Sequence, residues 1–302
     1  MDFPAEQLQT FKAVIDAGTL ERAARQLNVT ASAVSQRLKA LEKRAGSVLF
    51  IRSRPIRTTG SGEVLLRLAR EIQMLSTEAQ RELGLDASGG QGSRRTDLSV
   101  AVNADSLASW FAPVLDGLAA QDVMNCEILR HDQSHSTELL RSGQVMGAVT
   151  TKRTPVQGCS SVYLGTMRYR AMAGAGFVDR WLPGADPETE FGLAPMVSFD
   201  RSDDLQRELR RRIVGARVPE SPVEHFVPDS RVYVAAVAAS LGWGMIPEIQ
   251  DPGDGSLVCI NQGWTSEVRL YWQRWKVPSQ ALDLLTGMVV DAAGAAGLRQ
   301  DR

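Results

Sequence analysis

Cysteine and histidine are scarce: the 302 residues contain only three of each. That scarcity removes several function classes at once. Cys126, Cys159 and Cys259 are widely separated and form no C-x-x-C pair, so neither a disulfide framework nor a zinc site is expected. His131 and His135 stand four residues apart without completing a ligand set, so no metal and no cofactor are expected. His225 has no evident nucleophile partner and there is no G-x-S-x-G elbow, so no catalytic residue is nominated and an enzyme is not expected. No apolar run approaches the roughly 18 residues of a membrane span. The opening stretch MDFPAEQLQTFKAVIDAG lacks a basic start followed by an apolar run, which leads us to expect no secretory leader and a cytoplasmic protein.

What remains is a chain with 43% apolar residues, enough for two or three domains with full cores. Its net charge of -1 conceals an asymmetry. Residues 1–60 hold ten Lys and Arg against five Asp and Glu, while the rest hold 24 against 30. A basic head on a mildly acidic body suggests an anionic partner for the head alone, with nucleic acid the leading candidate.

The head reads as three helices. Leu8, Phe11, Val14 and Ile15 form a helical stripe that Gly18 stops. Thr19 caps a short second helix, Asn28-Val29 turns, and Thr30 caps a third helix running to Gly46. Two short helices joined by a tight turn, the second small and polar at its start, describe a helix-turn-helix. Ser32, Ser35 and Gln36 are then placed for base edges, and Arg37, Lys39, Lys43 and Arg44 for phosphates. The stretch LFIRSRPIRTT brings Arg52, Arg54 and Arg57 onto a basic wing.

Residues 21–52, with Ala23, Ala24, Leu27, Ser32, Val34, Ser35, Leu38, Leu41, Glu42, Gly46, Leu49, Phe50 and Arg52, resemble the N-terminal winged helix of the LysR-type transcriptional regulators. Where that family usually has Leu-Thr before the next helix, this chain has Thr58-Thr59, which makes Thr59 the expected cap.

From Gly62 to Gly84, apolar residues alternate at spacings of three and four. Leu65, Leu68, Ile72, Leu75 and Ala79 would form a seam suited to pairing with a second copy, because a helix between two domains has little else to pack against. The resemblance likewise implies a dimerising linker helix. Residues 84–96, GLDASGGQGSRRT, read as a flexible connector.

Beyond Asp97, strands and helices alternate, which implies α/β layers with largely parallel sheets. One helix is expected over 106–120 and a last one over 278–299. Ligands in such sheets sit beyond the carboxyl ends of strands. Polar residues recur there: Asn103, Asp105 and Ser106, Thr150 and Thr151, Asp200 to Asp204, and Asp229 with Ser230. They are either simple helix caps or the wall of a site. Helix N-termini would seat a carboxylate while the acids repel a pure anion, so a basic amino acid fits both demands.

The segments LSVAVNADSLASWF, RSGQVMGAVTT, VSFDRSDD and RLYWQRW resemble the effector domain of the arginine/lysine-responsive branch of the same family, in order over nearly the whole chain. That resemblance implies two α/β subdomains like a periplasmic binding protein. Asn103, Asp105, Ser106, Thr150 and Thr151 would line the cleft from the first, and Asp200, Asp203 and Asp204 from the second, with Asp229 and Ser230 beside them. The expected fold is therefore α/β with an all-α winged helix-turn-helix head. The head spans 1–60, the linker helix 61–84, a hinge 85–96 and the effector domain 97–302. Subdomain I takes about 97–160 and 266–302, and subdomain II about 161–265. The expected partners are an interrupted palindromic operator in double-stranded DNA, RNA polymerase, L-lysine or L-arginine, and further copies of the chain as a homodimer or homotetramer. Another small effector, or a cytoplasmic amino acid binding protein with an incidental basic head, are the alternatives.

Overall fold

The structure, a computed structural model, describes residues 2–84, 95–131, 136–184, 187–215 and 223–298. Residues 85–94 of the expected hinge, and His135, lie outside the described residues. The chain divides into two compact units: Met1–Val102 with Asp116–Val162 and Trp272–Gly287, and Asn103–Leu115 with Tyr163–Tyr271 and Met288–Arg302.

In the first unit, helices α1 (Ala5–Ala17), α2 (Leu20–Gln26) and α3 (Ala31–Ala45) form the head. Thr19 and Thr30 accept hydrogen bonds from the Arg22 and Ala33 backbone N–H groups, so both expected caps form. Gly18 ends α1 at φ 71°, a left-handed conformation that glycine adopts without a Cβ clash. Leu8, Phe11, Val14, Val34, Leu38 and Leu41 make one buried cluster. Strands β1 (Phe50–Ile51) and β2 (Arg57–Thr58) pair antiparallel as the wing. Helix α4 (Gly60–Glu82) follows, with Thr59 accepting from the Gly62 N–H at 3.1 Å.

Helix α4 differs from the sequence expectation. Leu65, Leu66 and Ala69 are buried in the head cluster, and Leu68 and Ile72 pack against it. Gly62 lies so close to Leu49 that a Cβ there would sit 1.9 Å from the Leu49 carbonyl oxygen. Arg67 donates to the Gln157 carbonyl at 2.9 Å and lies over the Trp275 ring, while Arg70 donates to the Gly143 carbonyl and pairs with Asp16 at 2.7 Å. Leu65 is thus core rather than seam, because the helix is not isolated between domains but fastened along its first half. Leu75 and Ala79 remain exposed.

The rest of this unit is a parallel sheet in which β3 (Thr96–Val102) lies between β4 (Met124–Arg130) and β5 (Gly147–Thr150). Helix α7 (Ser136–Arg141) and the second half of α6 (Ala112–Ala119), which is divided between the units, belong here too. Trp272 and Trp275 are fully buried.

The second unit contains α5 (Ala104–Ala108) and most of β6 (Cys159–Ala173) and β11 (Thr265–Trp275). Strands β9 (Gly244–Pro247) and β10 (Val258–Cys259) pair antiparallel with β6. A smaller parallel pair joins β7 (Met196–Ser198) to β8 (Glu224–Phe226). Helices α8 (Ala175–Trp181), α9 (Pro187–Leu193), α10 (Leu205–Val214) and α11 (Ser230–Ala238) complete it. Met172, Val197, Tyr233, Val237 and Ile246 form its core. Helix α12 (Gln280–Ala295) closes the chain and is divided between the units.

Two expectations change here. The single helix over 106–120 is broken at Ser109–Phe111 into α5 and α6. Asn103–Leu115 and Met288–Arg302 group with 163–271, not with the segments around them in sequence.

Candidate functional site

The turn after β3 decides what Asp105 does. Asn103 occupies the position before α5 but makes no side-chain capping bond, and Asp105 makes none either. The Asp105 carboxyl turns instead toward the body of the second unit. Tyr169 Oη donates to its Oδ2 at 2.9 Å, Ser230 Oγ to its Oδ1 at 3.0 Å, and Gln250 Nε2 to its backbone carbonyl at 3.2 Å. All three donors are neutral, and among the described residues no cation pairs with this carboxylate. Burial pushes its pKa above the ordinary carboxylate value, and the three side-chain donors only partly oppose that.

Asp203 resembles it. Burial raises its pKa, the Phe199 and Leu205 N–H groups pull it down, and the Asp105 charge raises it further. Those N–H groups donate at 3.1 and 3.2 Å. Beside it, Gln206 Nε2 donates to Tyr233 Oη at 2.6 Å, and Tyr233 donates to the Val197 carbonyl at 3.1 Å. Tyr233 is held protonated by burial and by the charges of Asp203 and Asp105.

Next to Asp105, Asn103 Oδ1 and Ser106 Oγ are buried without a hydrogen-bond partner, as is Gln206 Oε1 beside Asp203. Buried polar atoms are normally satisfied. A turn and a helix that hold three orphans, one acid with no described cation and a second acid whose charge it feels have the chemistry of a place for a polar, cationic molecule. Because α5 has only five residues, its N-terminus carries little dipole.

The other sequence-nominated residues separate by role. Asp229 caps α11, accepting from the Arg231 and Val232 N–H groups. Asp200 closes a local turn with Ser202, whose hydroxyl and N–H hold its pKa down. Asp204 is exposed and pairs with Arg207 at 2.8 Å. Thr150 and Thr151 belong to the first unit; Thr150 Oγ1 accepts from the Lys152 N–H at 3.2 Å, and the loop is held by Gln273 Nε2 donating to the Lys152 and Thr154 carbonyls. Tyr169 and Gln250 were not nominated. Gln250 follows a short apolar strand and satisfies the same strand-end criterion as the others. Tyr169 lies in mid-strand, where nothing in the sequence singles it out.

The head presents its own surface. Ser32, Gln36, Lys39 and Lys43 are exposed on α3, Ser35 is half-buried, and Arg52, Arg54 and Arg57 are exposed on the wing. Arg37 is engaged internally, pairing with Glu6 at 2.5 Å. A helix with small polar groups at its start, beside a basic hairpin, has the makings of a groove reader with backbone contacts.

Comparison with known proteins gives the family. Residues 5–63 match the family of bacterial regulatory helix-turn-helix proteins, lysR family. The HTH-type transcriptional regulator LysG of Mycobacterium tuberculosis (strain ATCC 25618 / H37Rv) is 42% identical over 295 residues, which are 97% of this chain and 93% of that protein. The lysine export transcriptional regulatory protein LysG of Corynebacterium glutamicum is 38% identical, over 95% of this chain and 97% of its own length. Full-length LysG from Corynebacterium glutamicum, solved with bound effector Arg, superposes with a TM-score of 0.78 at 35% identity, covering 98% of this chain and 100% of that one. With a lysR-family head and relatives matched over nearly the full length, the chain belongs to the LysR-type transcriptional regulators.

Proposed function

We propose that this regulator senses a basic amino acid, L-lysine or L-arginine, in the cytoplasm and controls transcription of a gene for basic amino acid export, without catalysing a reaction. One observation carries the reading: the Asp105 carboxylate is enclosed by neutral donors, has no described cation, and feels a second acid, Asp203. An ammonium or guanidinium relieves the Asp105 charge, whereas a neutral or acidic effector leaves it uncompensated. The unpartnered Ser106 hydroxyl and Asn103 amide give the ligand neutral polar contacts beside the acid. Asp200, Asp204 and Asp229, whose carboxylates are committed to local turns, ion pairs or caps, are the weaker members of the nominated set.

The similarity to LysG proteins, one of them solved with Arg, supports the same ligand class. In this reading two heads, paired through the exposed part of α4, contact an interrupted palindrome. Ligand binding then shifts the chain toward the arrangement that it binds better, and RNA polymerase recruitment follows.

Thermal unfolding of the purified protein against each common amino acid tests the proposal. Stabilisation by lysine or arginine alone is expected, and no response to either overturns it.

A further inference from the structure

The 3-10 turn Glu248–Gln250, which leaves the sheet directly after β9, has opposite partners at its two ends. Register places Tyr169 of β6 against Pro247, the residue just before the turn. Alternation along β6 puts Tyr169 on one face and Arg168 and Arg170 on the other. Gln250 joins Tyr169 on the Asp105 carboxyl. Glu248 takes the other side: its Oε1 accepts from Arg170 Nε at 2.7 Å and lies 3.4 Å from Arg168 Nη1. With about three residues per turn, side chains two apart point in different directions, which lets one short turn reach both faces.

The turn lies at the protein surface. Its middle residue, Ile249, is 38% exposed. Downstream, residues 251–256 are all exposed and include Gly253 and Gly255 at positive φ. The ion pair with the two arginines therefore holds the start of the segment that delivers Gln250.

We propose that Glu248 is a positioning residue for the effector site: by gripping Arg168 and Arg170 on one face of β6, it fixes the turn that brings Gln250 to Asp105 on the other. The inference rests on the reading of Asp105 as the ligand's counter-charge. Glu248 itself does not touch the ligand; it limits how far Gln250 strays from Asp105 before the ligand arrives, and so lowers the ordering cost of binding.

Calorimetric titration of the full chain with L-arginine and L-lysine tests this through a double-mutant cycle. Glu248→Gln is expected to weaken binding about three- to tenfold, the scale of coupling between residues of one network. Gln250→Ala weakens it by itself, and the pair Glu248→Gln with Gln250→Ala binds no worse than Gln250→Ala alone. Arg170→Gln releases the same grip from the strand side and is expected to reproduce the loss, which keeps the test open where Glu248→Gln does not fold. Additive losses in the cycle, or wild-type affinity in both Glu248→Gln and Arg170→Gln, overturn the proposal. Asp105→Asn separates the two levels. If it abolishes binding while the cycle is additive, only the positioning role fails; if it binds as tightly as wild type, the site reading fails and takes this inference with it.

Discussion

Replacing Asp105 with Asn is expected to move stability and ligand affinity in opposite directions. The carboxyl pKa is raised by burial, so the folded state holds this proton more tightly than the unfolded chain does. Below the unfolded value of about 3.9 both states are protonated and no penalty exists. As pH climbs from there through the raised folded value, the penalty grows, and at higher pH it is complete. Asn keeps the shape, still accepts from Ser230 and Gln250 at its amide oxygen, and carries no charge. At neutral pH the ligand-free variant should therefore be as stable as the parent or more stable, by up to about 1 kcal/mol, a Tm rise of roughly 2–4 °C for a body of this size. Near pH 4 the difference should vanish.

Ligand affinity answers to the other half of the balance. Breaking a fully buried ion pair costs about 3–5 kcal/mol, and a hydrogen bond to a charged group is worth about 1.5–3 kcal/mol. Asp105 is partly buried, so about 3 kcal/mol is the appropriate scale, roughly a hundredfold loss at 1.4 kcal/mol per tenfold. Calorimetric titration with lysine and arginine, paired with thermal unfolding at both pH values, reads both effects. Unchanged affinity would refute the ligand role. A large fall in ligand-free Tm would refute the claim that the charge is a cost to folding.

Lysine and arginine affinity should fall on acidification, because protonating the raised Asp105 and Asp203 carboxyls removes the attraction; titrations in buffers of different ionisation enthalpy should show proton release that disappears at high pH. Lys43→Ala should flatten the salt dependence of operator binding by about one charge for every sequence, whereas Gln36→Ala should change base preference; a gel-shift salt series distinguishes them. Gly62→Ala drives a Cβ to within 1.9 Å of the Leu49 carbonyl oxygen, so a loss of about 1–3 kcal/mol in head stability is expected by thermal melting, and an unchanged melt would mean that α4 starts elsewhere. Leu65→Ala should destabilise the head by about 2–5 kcal/mol, while Leu75→Glu should alter oligomeric state and leave the melt of the head intact; sedimentation and melting together separate core from seam.

The head was legible in its residues because its signals are local. Thr19 and Thr30 cap, Gly18 and Gly46 stop, and the apolar spacing of α1 and α3 names the faces that meet in the core. Local rules also located the strand-end turns, since polar residues collect where a strand stops. They could not rank them. Asp105 and Asp229 look alike in sequence, yet one accepts from three distant side chains and the other caps the helix it precedes. The apolar period of α4 was also visible, but period alone does not say whether Leu65 faces a second copy or its own head.

Caps, spacing and charge act over a few residues, so the helices of the head, its basic charge and the polar turns were readable from the chain alone, whereas the break of the expected 106–120 helix at Ser109–Phe111 was not. Which acid is left without a counter-charge is settled by contacts between distant parts of the chain. That depends on Tyr169, Ser230 and Gln250 reaching Asp105 from 64, 125 and 145 positions away, and burial by distant parts of the chain is what turns a carboxylate from a surface group into a demand for a cation.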